Sequence, residues 1–523
     1  MKKFTVLSLA ALLVLAFGAT AYAQDVKLDF RVSGSIDAQT HYSVNVPPLS
    51  PNGNSIFGVG GSSVPYTTKT QALDRTVSYW DSRMSLRFEA GMGKELTAVL
   101  QFEIDAGRWG SGPTGVVGNV RDAGNFGQWS TDRTAIELKY VYFDVGLPYI
   151  GVPFPMSVRL GAQPFAIRPW FLAATDGMGV SGGIKIDPVN LNPFYFKPAE
   201  GVDWTSDDTE IWGLQANAKL GTFTIGGYGL WANMNAYPNF VASAPSAWTL
   251  GADTRLTPQI PGPAKADFWW IGIYADGKAG PVDIQFDAAY DGGKVKQNGT
   301  GFPNVKYNGW ATRAKIAYPW EKFEFGAIGM YASGSDTRKT SANGLPGDLT
   351  ADPTDGGALA SKVNGWMIPV GSEVGAANGE SVVVYGMEAG ASGGQGWAVN
   401  HNYNQSSKGA YGGTWFGKLY GSYKVTPWYK VTLQGLYIGD TTKHGNTFGN
   451  ALESTGALRD DKTIGVELDL LNEFLIYKNL SFKLFGGYMW AGGAMNRDFG
   501  AGSDRNAEIK NPWAVRTRLL YTF

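Results

Sequence analysis

The stretch WDSRMSLRFEAGMGKELTAVLQFEID, residues 80–105, decides the fold. Apolar and polar residues alternate over residues 80–90 and again over 96–104, on either side of a Gly-rich turn at 91–94. An alternation with a period of two places successive side chains on opposite faces of a β-strand. The stretch therefore predicts a β-hairpin with one apolar face and one polar face.

The same alternation recurs along the chain and predicts eighteen strands. We expect them near residues 26–42, 79–90, 95–105, 134–146, 156–163, 178–187, 191–198, 210–220, 223–234, 267–276, 281–291, 307–318, 322–333, 412–425, 428–439, 462–471, 479–491 and 509–523. Segments of about ten residues are long enough for a tilted strand to cross a bilayer. Pro193 and Pro198 are poor strand residues, so merging the region 191–198 with its surroundings would give sixteen strands, the alternative count.

The connections between these strands alternate in length. The short ones lie at residues 91–94, 147–153, 221–222, 276–280, 318–321 and 426–427, and the long ones at about 45–78, 106–132, 235–265, 334–407, 441–460 and 492–507. Short periplasmic turns and long extracellular loops are typical of outer-membrane barrels. The sequence thus predicts an all-β protein, a transmembrane antiparallel β-barrel.

The composition agrees with such a barrel and excludes several other classes. The 523 residues include 71 glycines, 13% aromatic residues, only 17% charged residues and no cysteine, and the formal net charge is −1. A near-neutral chain lacks the basic footprint of a nucleic-acid binder. The absence of cysteine excludes disulfide scaffolds, zinc ribbons and thiol enzymes. A soluble enzyme would normally carry about a quarter charged residues.

The first 23 residues have the three parts of a secretory signal peptide. Lys2 and Lys3 precede an apolar run over residues 4–17, and Ala21 and Ala23 form a small-x-small cleavage site. We expect cleavage after Ala23, which leaves residues 24–523 as a single barrel domain. The rest of the sequence contains no apolar stretch of 18 residues, so membrane-spanning helices are not expected.

Three parts of the sequence resemble Gram-negative bacterial outer-membrane porins. They are the hairpin at residues 82–105, the pair IELKYVYFDVGLP (136–148) and VRLGAQPFAI (158–167), and the final strand with Tyr521 and Phe523. The resemblance implies a water-filled channel for the passive diffusion of ions and small hydrophilic solutes, located in the outer membrane. It also implies contact with lipopolysaccharide, a homotrimer, and recognition of the last strand by the barrel-assembly machinery.

The polar strand faces would line the channel, because the apolar faces meet lipid. The basic candidates are Lys27, Arg31, Arg83, Arg87, Arg159, Arg168, Arg516 and Arg518. The acidic candidates are Glu103, Asp176, Asp283 and Asp287. Most basic candidates fall on the first two and last strands, which adjoin once a barrel closes, and two acidic ones fall on the eleventh strand. We therefore expect a field across the lumen, although each charge could instead pair with a neighbour.

Two loops are candidates for a constriction. The porin resemblance implies that a loop at about 164–177 folds inward, with Arg168 and Asp176 facing each other and Trp170 and Phe171 packed on the wall. The loop at 334–407 is the rival, because a loop of that length is commonly functional or mobile. Most strand aromatics fall on the lipid face, with Phe143 among the inward exceptions, which favours a general pore over a sugar-specific one.

Other functions find little support in the sequence. Only three histidines are present and no serine lies in a nucleophile-elbow context, so we expect no enzyme. Acidic fragments lack calcium-loop spacing, and no metal or other cofactor is expected. A structural or adhesive barrel, or a substrate-specific barrel without general pore activity, remains the alternative to a porin.

Overall fold

In a computed structural model, β-strands are the main element of the part of the chain that the structure describes. The structure describes residues 28–45, 76–93, 95–109, 136–147, 151–200, 208–237, 264–296, 304–339, 362–369, 372, 380–386, 411–498 and 506–523. The strands are β1 (Leu28–Val44), β2 (Thr76–Met92), β3 (Leu96–Arg108), β4 (Glu137–Gly146), β5 (Met156–Ile167), β6 (Ala173–Ile186), β7 (Val189–Ala199), β8 (Thr209–Leu220), β9 (Phe223–Tyr237), β10 (Ala264–Ala279), β11 (Val282–Lys296), β12 (Val305–Trp320), β13 (Phe323–Ala332), β14 (Lys362–Val363), β15 (Thr414–Thr426), β16 (Tyr429–Asp440), β17 (Thr463–Tyr477), β18 (Leu480–Ala491) and β19 (Trp513–Thr522). Within these ranges no helix is long and apolar enough to cross a membrane.

Eighteen of these strands form a closed antiparallel barrel. The two-residue β14 lies in a loop and pairs in parallel with β12, whereas every other strand pairs with its neighbours along the chain. The sheet closes because β1 pairs with both β2 and β19. The predicted fold class and the count of eighteen are confirmed, and the alternative of sixteen is wrong. Pro193 is accommodated in β7 because the β6–β7 ladder is interrupted opposite it, at Gly182 and Gly183.

The two faces of the barrel differ in chemistry as the alternation predicts. The outer face carries a belt of exposed large apolar side chains, such as Leu86, Ile271 and Leu433. The inner face carries buried polar and charged side chains, such as Asp287 and Glu467, both with no exposed surface. An apolar exterior around a polar interior is the arrangement that a bilayer requires of a barrel.

A bulge in β4 reverses the faces that the sequence predicts for its upper part. Gln101 pairs with Tyr140 and Phe102 with Leu138, so Lys139 is an extra residue in the ladder. The extra residue flips the side chains that follow it. Phe143 is therefore half exposed on the outer face rather than inward, and the prediction for it was wrong.

The barrel closes tightly around Gly34 of β1. The backbone N–H and carbonyl of Gly34 form hydrogen bonds of 2.9 and 3.1 Å with the carbonyl and N–H of Phe523. A Cβ atom at Gly34 would lie 2.4 Å from the carbonyl oxygen of Ser85 and 2.7 Å from the Phe523 ring. Only glycine leaves room at this position for both the neighbouring backbone and the terminal ring.

Replacing Gly34 with Val is expected to impair barrel closure. The added side chain overlaps backbone atoms of β2, so its cost is expected to exceed the about 1–3 kcal/mol typical of overpacking. The yield of folded, heat-modifiable barrel on gels should fall. Gly229→Val is the matched control, because no atom lies within 4 Å of a Cβ built on Gly229. Equal yields from the two variants would show that the seam around Phe523 tolerates a side chain.

Candidate functional site in the barrel interior

The β5–β6 hairpin leaves the barrel wall and enters the interior. The β4–β5 ladder ends at Ala162, and the β6–β7 ladder begins at Gly179. Between these points, residues 163–177 pair only with one another. Strands that lose their wall partners are free to bend, and the ring of Phe165 packs 4.9 and 4.7 Å from those of Phe194 and Phe196 on β7. The hairpin is therefore packed against the inner face of β7 on its way to the turn at residues 168–172.

Arg168 fastens the tip of this hairpin. It has φ of 47°, in the left-handed region, and its carbonyl accepts hydrogen bonds from the N–H groups of Phe171 and Leu172. Its guanidinium binds the carboxylates of Asp276 on β10 and Asp287 on β11.

Two aromatic rings enclose the same guanidinium. Trp170 and Tyr274 lie 4.5 and 4.4 Å from its central carbon, and the Trp170 indole donates a 3.2 Å hydrogen bond to Asp287. Only 6% of the Arg168 side chain is exposed. Burial opposes its charge, but the two carboxylates outweigh burial and raise the pKa of Arg168 above its ordinary value. Arg168 is thus a buried, fully charged latch between the hairpin and the wall.

The long loop between β13 and β15 also enters the interior. One of its described segments, residues 362–369, is called the inner arm. The indole of Trp270 donates to the carbonyl of Met367, whose N–H donates to Asp291 of β11. Trp366 lies 5.7 Å from the ring of Phe171 at the hairpin tip. The inner arm and the hairpin therefore pack on each other over β10–β12.

A second segment of the same loop, Glu380–Tyr385, is called the strap. Its six side chains are all buried. Its backbone is held by two carboxylates of β17: Asp469 accepts from the N–H of Val382, and Glu467 accepts from those of Val383 and Val384. Carboxylates that accept several backbone N–H groups fix a segment without a regular ladder. The strap therefore covers the inner faces of β15–β17.

A buried ion triad anchors the start of the strap. Glu380 binds Arg313 of β12 and Lys418 of β15, and each of these side chains is 5–6% exposed. Burial raises the pKa of the Glu380 carboxyl, but Lys418 and Arg313 lower it more, and the resulting pKa is about 2. The carboxylate therefore remains charged at any pH above that value.

The interior faces of β19 and β1–β5, here called the accessible face, carry charges that reach solvent. Arg83, Arg87, Arg159, Arg518 and Lys139 are 22–33% exposed. The charges on β10–β17 that the hairpin, inner arm and strap cover are nearly all buried. The two inserted loops thus divide the interior into a covered acidic side and an accessible, mainly basic-lined side.

The cations of the accessible face all have carboxylate partners. Arg83 and Lys139 share Glu103, Arg87 pairs with Glu89, Arg159 with Asp144, and Arg518 with Asp37. In two of these groups the carboxylate is the deeper member, because Glu103 and Asp37 are only 5% exposed. At these two groups, water and solutes therefore meet the guanidinium and ammonium groups first, whereas Glu89 and Asp144 are about as exposed as their arginine partners.

The remaining predicted site residues are dispersed. Arg31 is 70% exposed and pairs with Asp29 near the short-turn end, Arg516 is buried opposite His41, and Asp283 pairs with Lys278 at the end of β11. Asp176 lies 3.9 Å from Lys139 rather than facing Arg168. Asp287 is covered by the hairpin tip. Lys27 lies outside the described residues.

Sequence reasoning missed the strap and its anchors. Glu380, Arg313 and Lys418 gave no periodic or motif signal that would have set them apart. The alternation of apolar and polar residues does predict that Arg313 on β12 and Glu467 on β17 point inward. It does not predict that a loop covers them. Both proposed constrictions, at 164–177 and 334–407, supply segments to the interior.

A closed antiparallel barrel of eighteen strands, apolar outside and charged inside, defines the chain as a transmembrane β-barrel with the fold of bacterial outer-membrane porins. The chain is similar to OccK8 (OprE) of Pseudomonas aeruginosa, with 10% identity, a TM-score of 0.44 and coverage of 95% of this chain and 98% of that one. It is also similar to OccAB3 of Acinetobacter baumannii, with 8% identity, a TM-score of 0.47 and coverage of 94% and 99%. A third similar structure is a BenF-like porin of Pseudomonas fluorescens Pf-5, with 11% identity, a TM-score of 0.47 and coverage of 94% of this chain and 98% of that one. No family model and no curated protein matches the chain.

Proposed function

We propose that the chain forms a water-filled channel for the passive diffusion of ions and small hydrophilic solutes across the bacterial outer membrane. The observation that supports this most is the accessible face, where five cationic side chains reach solvent inside a barrel with an apolar exterior. Charged side chains in an aqueous lumen set which ions pass. No chemistry of bond making or breaking is part of this role.

Planar-bilayer recording of the purified protein tests the proposal. Stepwise current increments on insertion are expected, with a conductance that grows with salt concentration. A membrane that stays silent after verified insertion would instead favour the alternative, a structural or adhesive barrel. The two loops that enter the interior fill part of the lumen, and a barrel that conducts no ions is the alternative for that reason.

The accessible face further supports a preference for anions. In the pairs Arg83–Glu103 and Arg518–Asp37 the cation is the exposed member and the carboxylate the buried one. A small ion in the lumen therefore approaches the positive charge more closely than the negative one. Coulomb energy falls with distance, so the nearer charge dominates.

The double variant Arg83→Gln plus Arg518→Gln is expected to reduce that preference. A unit charge acts on an ion about 4 Å away with about 1 kcal/mol in water, so the anion-to-cation permeability ratio should fall about fivefold. Reversal potentials in a potassium chloride gradient measure it. Lys322→Gln plus Lys478→Gln removes the same charge from exposed short turns and should leave the ratio unchanged. Equal ratios in all three proteins would show that these arginines do not set selectivity.

The proposal extends to how the barrel reaches and occupies the membrane. Residues 1–23 would direct export and be removed, leaving 24–523 as one barrel domain, although residues 1–27 lie outside the described part. Tyr521 and Phe523 would serve as the signal for the barrel-assembly machinery. The mature protein would contact lipopolysaccharide and assemble as a homotrimer. Chemical crosslinking in native outer membranes distinguishes a trimer from a monomer.

A further inference from the structure

A cavity of about 380 Å³ lies beneath the inserted β5–β6 hairpin. Residues 164–167 of the hairpin form one side of it. The other sides come from inward-facing residues of β4–β8, among them Arg159, Asn192 and Gln215. Ser157 and Gly183 also line the cavity, and both lie close to short turns. The volume lies within the range of small-molecule sites, and the cavity is on the short-turn side of the hairpin tip.

One end of the cavity is aromatic. Phe165 of the hairpin and Phe194 and Phe196 of β7 contribute three rings whose centroids lie 4.7–6.2 Å apart. Phe194 and Phe196 are 8% and 4% exposed, so these rings are fixed by packing. Rings held in this way form a rigid apolar wall for a flat ring of a solute.

The other end of the cavity is polar but electrically neutral. Arg159 forms two hydrogen bonds of 2.6 and 2.9 Å with the carboxylate of Asp144, and its guanidinium carbon lies 4.4 Å from the centre of the Tyr142 ring. The charges of Arg159 and Asp144 therefore neutralise each other. The other polar lining groups include Ser157, Asn192 and Gln215, whose hydroxyl and amides are uncharged.

We propose that this cavity binds an uncharged solute that joins an aromatic ring to a hydroxyl-rich ring, such as an aryl glycoside. Its aryl ring would pack against the phenylalanine end, and its hydroxyls would bond the amides and the hydroxyl at the neutral end. An anionic solute would gain little binding free energy from its charge, because the Arg159 guanidinium is already paired with Asp144. The inference rests on the proposed channel function and names a solute class for one site within it.

Phenyl β-D-glucoside is the probe in planar-bilayer recordings of the full barrel. Binding in the cavity should interrupt the ion current in a saturable manner, with faster block from the short-turn side. Ala166→Phe fills the cavity and should raise the half-blocking concentration at least about tenfold, the equivalent of one lost contact of about 1.4 kcal/mol. Ala327→Phe is the control, because Ala327 is exposed on the outer face of β13 and does not line the cavity.

A second variant and a second method test the site independently of whether Ala166→Phe folds. Asn192→Leu removes a polar lining group without adding bulk, and it should weaken block even if Ala166→Phe misfolds. Isothermal titration of the detergent-solubilised barrel should give a dissociation constant that follows the same order of variants. A 4-carboxyphenyl glucoside of equal or higher affinity would overturn the assignment to uncharged solutes. Ion current without block or heat of binding would overturn the site itself, whereas absent current with intact binding would count against the channel proposal alone.

Discussion

Replacing Arg168 with Met is expected to release the β5–β6 hairpin from the wall and to raise the single-channel conductance. The variant leaves Asp287 charged and without its guanidinium partner, in a position with no exposed surface. Removing one member of a buried ion pair costs about 3–5 kcal/mol. Because residues 163–177 have no ladder partners on the wall, loss of the latch frees the tip while the rest of the barrel keeps its pairing.

Chymotrypsin measures the release directly. Phe171 has no exposed surface in the intact hairpin and Trp170 is only partly exposed, so cleavage there reports the detached population. A cost of 3–5 kcal/mol corresponds to a rise of roughly 100- to 1,000-fold or more in that population, and cleavage should accelerate accordingly.

An exposed pair supplies the control for this variant. Arg459 and Asp461 pair in an outer loop with 35% and 27% of their side chains exposed, and Arg459→Met should cost no more than about 1 kcal/mol. It should leave both the conductance and the cleavage rate near wild type. If Arg168→Met matched Arg459→Met in both measurements, the latch would contribute nothing to holding the hairpin.

The strands were predictable because the bilayer imposes one chemistry on each face. Every membrane-spanning strand must turn apolar side chains outward, so apolar and polar residues alternate with a period of two in each of them. That rule located all eighteen barrel strands, including β7 with its two prolines. It failed over the upper part of β4, because a bulge at Lys139 inserts one residue and shifts the parity. It also failed at the start of β17, where a register shift leaves Ile464 buried although Val466 is exposed.

The interior was less predictable because loops carry no comparable pattern. The alternation shows that Asp287 points inward, but it does not show that Arg168 crosses the interior to cover it. Likewise, the sequence placed Arg83 and Arg518 on the two strands that flank the first one, whereas their pairing with Glu103 and Asp37 depends on side-chain reach. The lumen therefore has a covered side, whose charges are paired and buried, and an accessible side, whose cations reach solvent.

Replacing Glu380 with Gln is expected to detach the strap from β15–β17. The variant leaves Arg313 and Lys418 buried without a carboxylate, so each loses the partner that compensates its desolvation. The expected loss is again about 3–5 kcal/mol of strap attachment. Unlike the hairpin, the strap also depends on the N–H groups of residues 382–384, which Glu467 and Asp469 bind. Those N–H groups should exchange with solvent when the strap opens.

Hydrogen exchange followed by mass spectrometry therefore measures the effect. Protection of the peptide that contains residues 382–384 should fall roughly 100- to 1,000-fold in Glu380→Gln, while peptides of β15–β17 keep theirs. Glu453→Gln makes the same charge change on an exposed loop residue and should leave the protection intact. Unchanged protection in Glu380→Gln would mean that the strap is held by its apolar side chains alone.

A measurement at low pH distinguishes loss of the Glu380 charge from a general loosening of the loop. The pKa of Glu380 is lowered from its ordinary 4.5 to about 2 by Lys418 and Arg313, which outweigh the effect of burial. A carboxyl with a depressed pKa in the folded state contributes stability that is present above 4.5 and is lost as the pH falls through about 2. Wild-type protein at pH 4, corrected for the intrinsic exchange rate, should therefore retain the strap that Glu380→Gln releases at pH 7. Release of the wild-type strap already at pH 4 would show that another carboxylate, such as Asp469, controls its attachment.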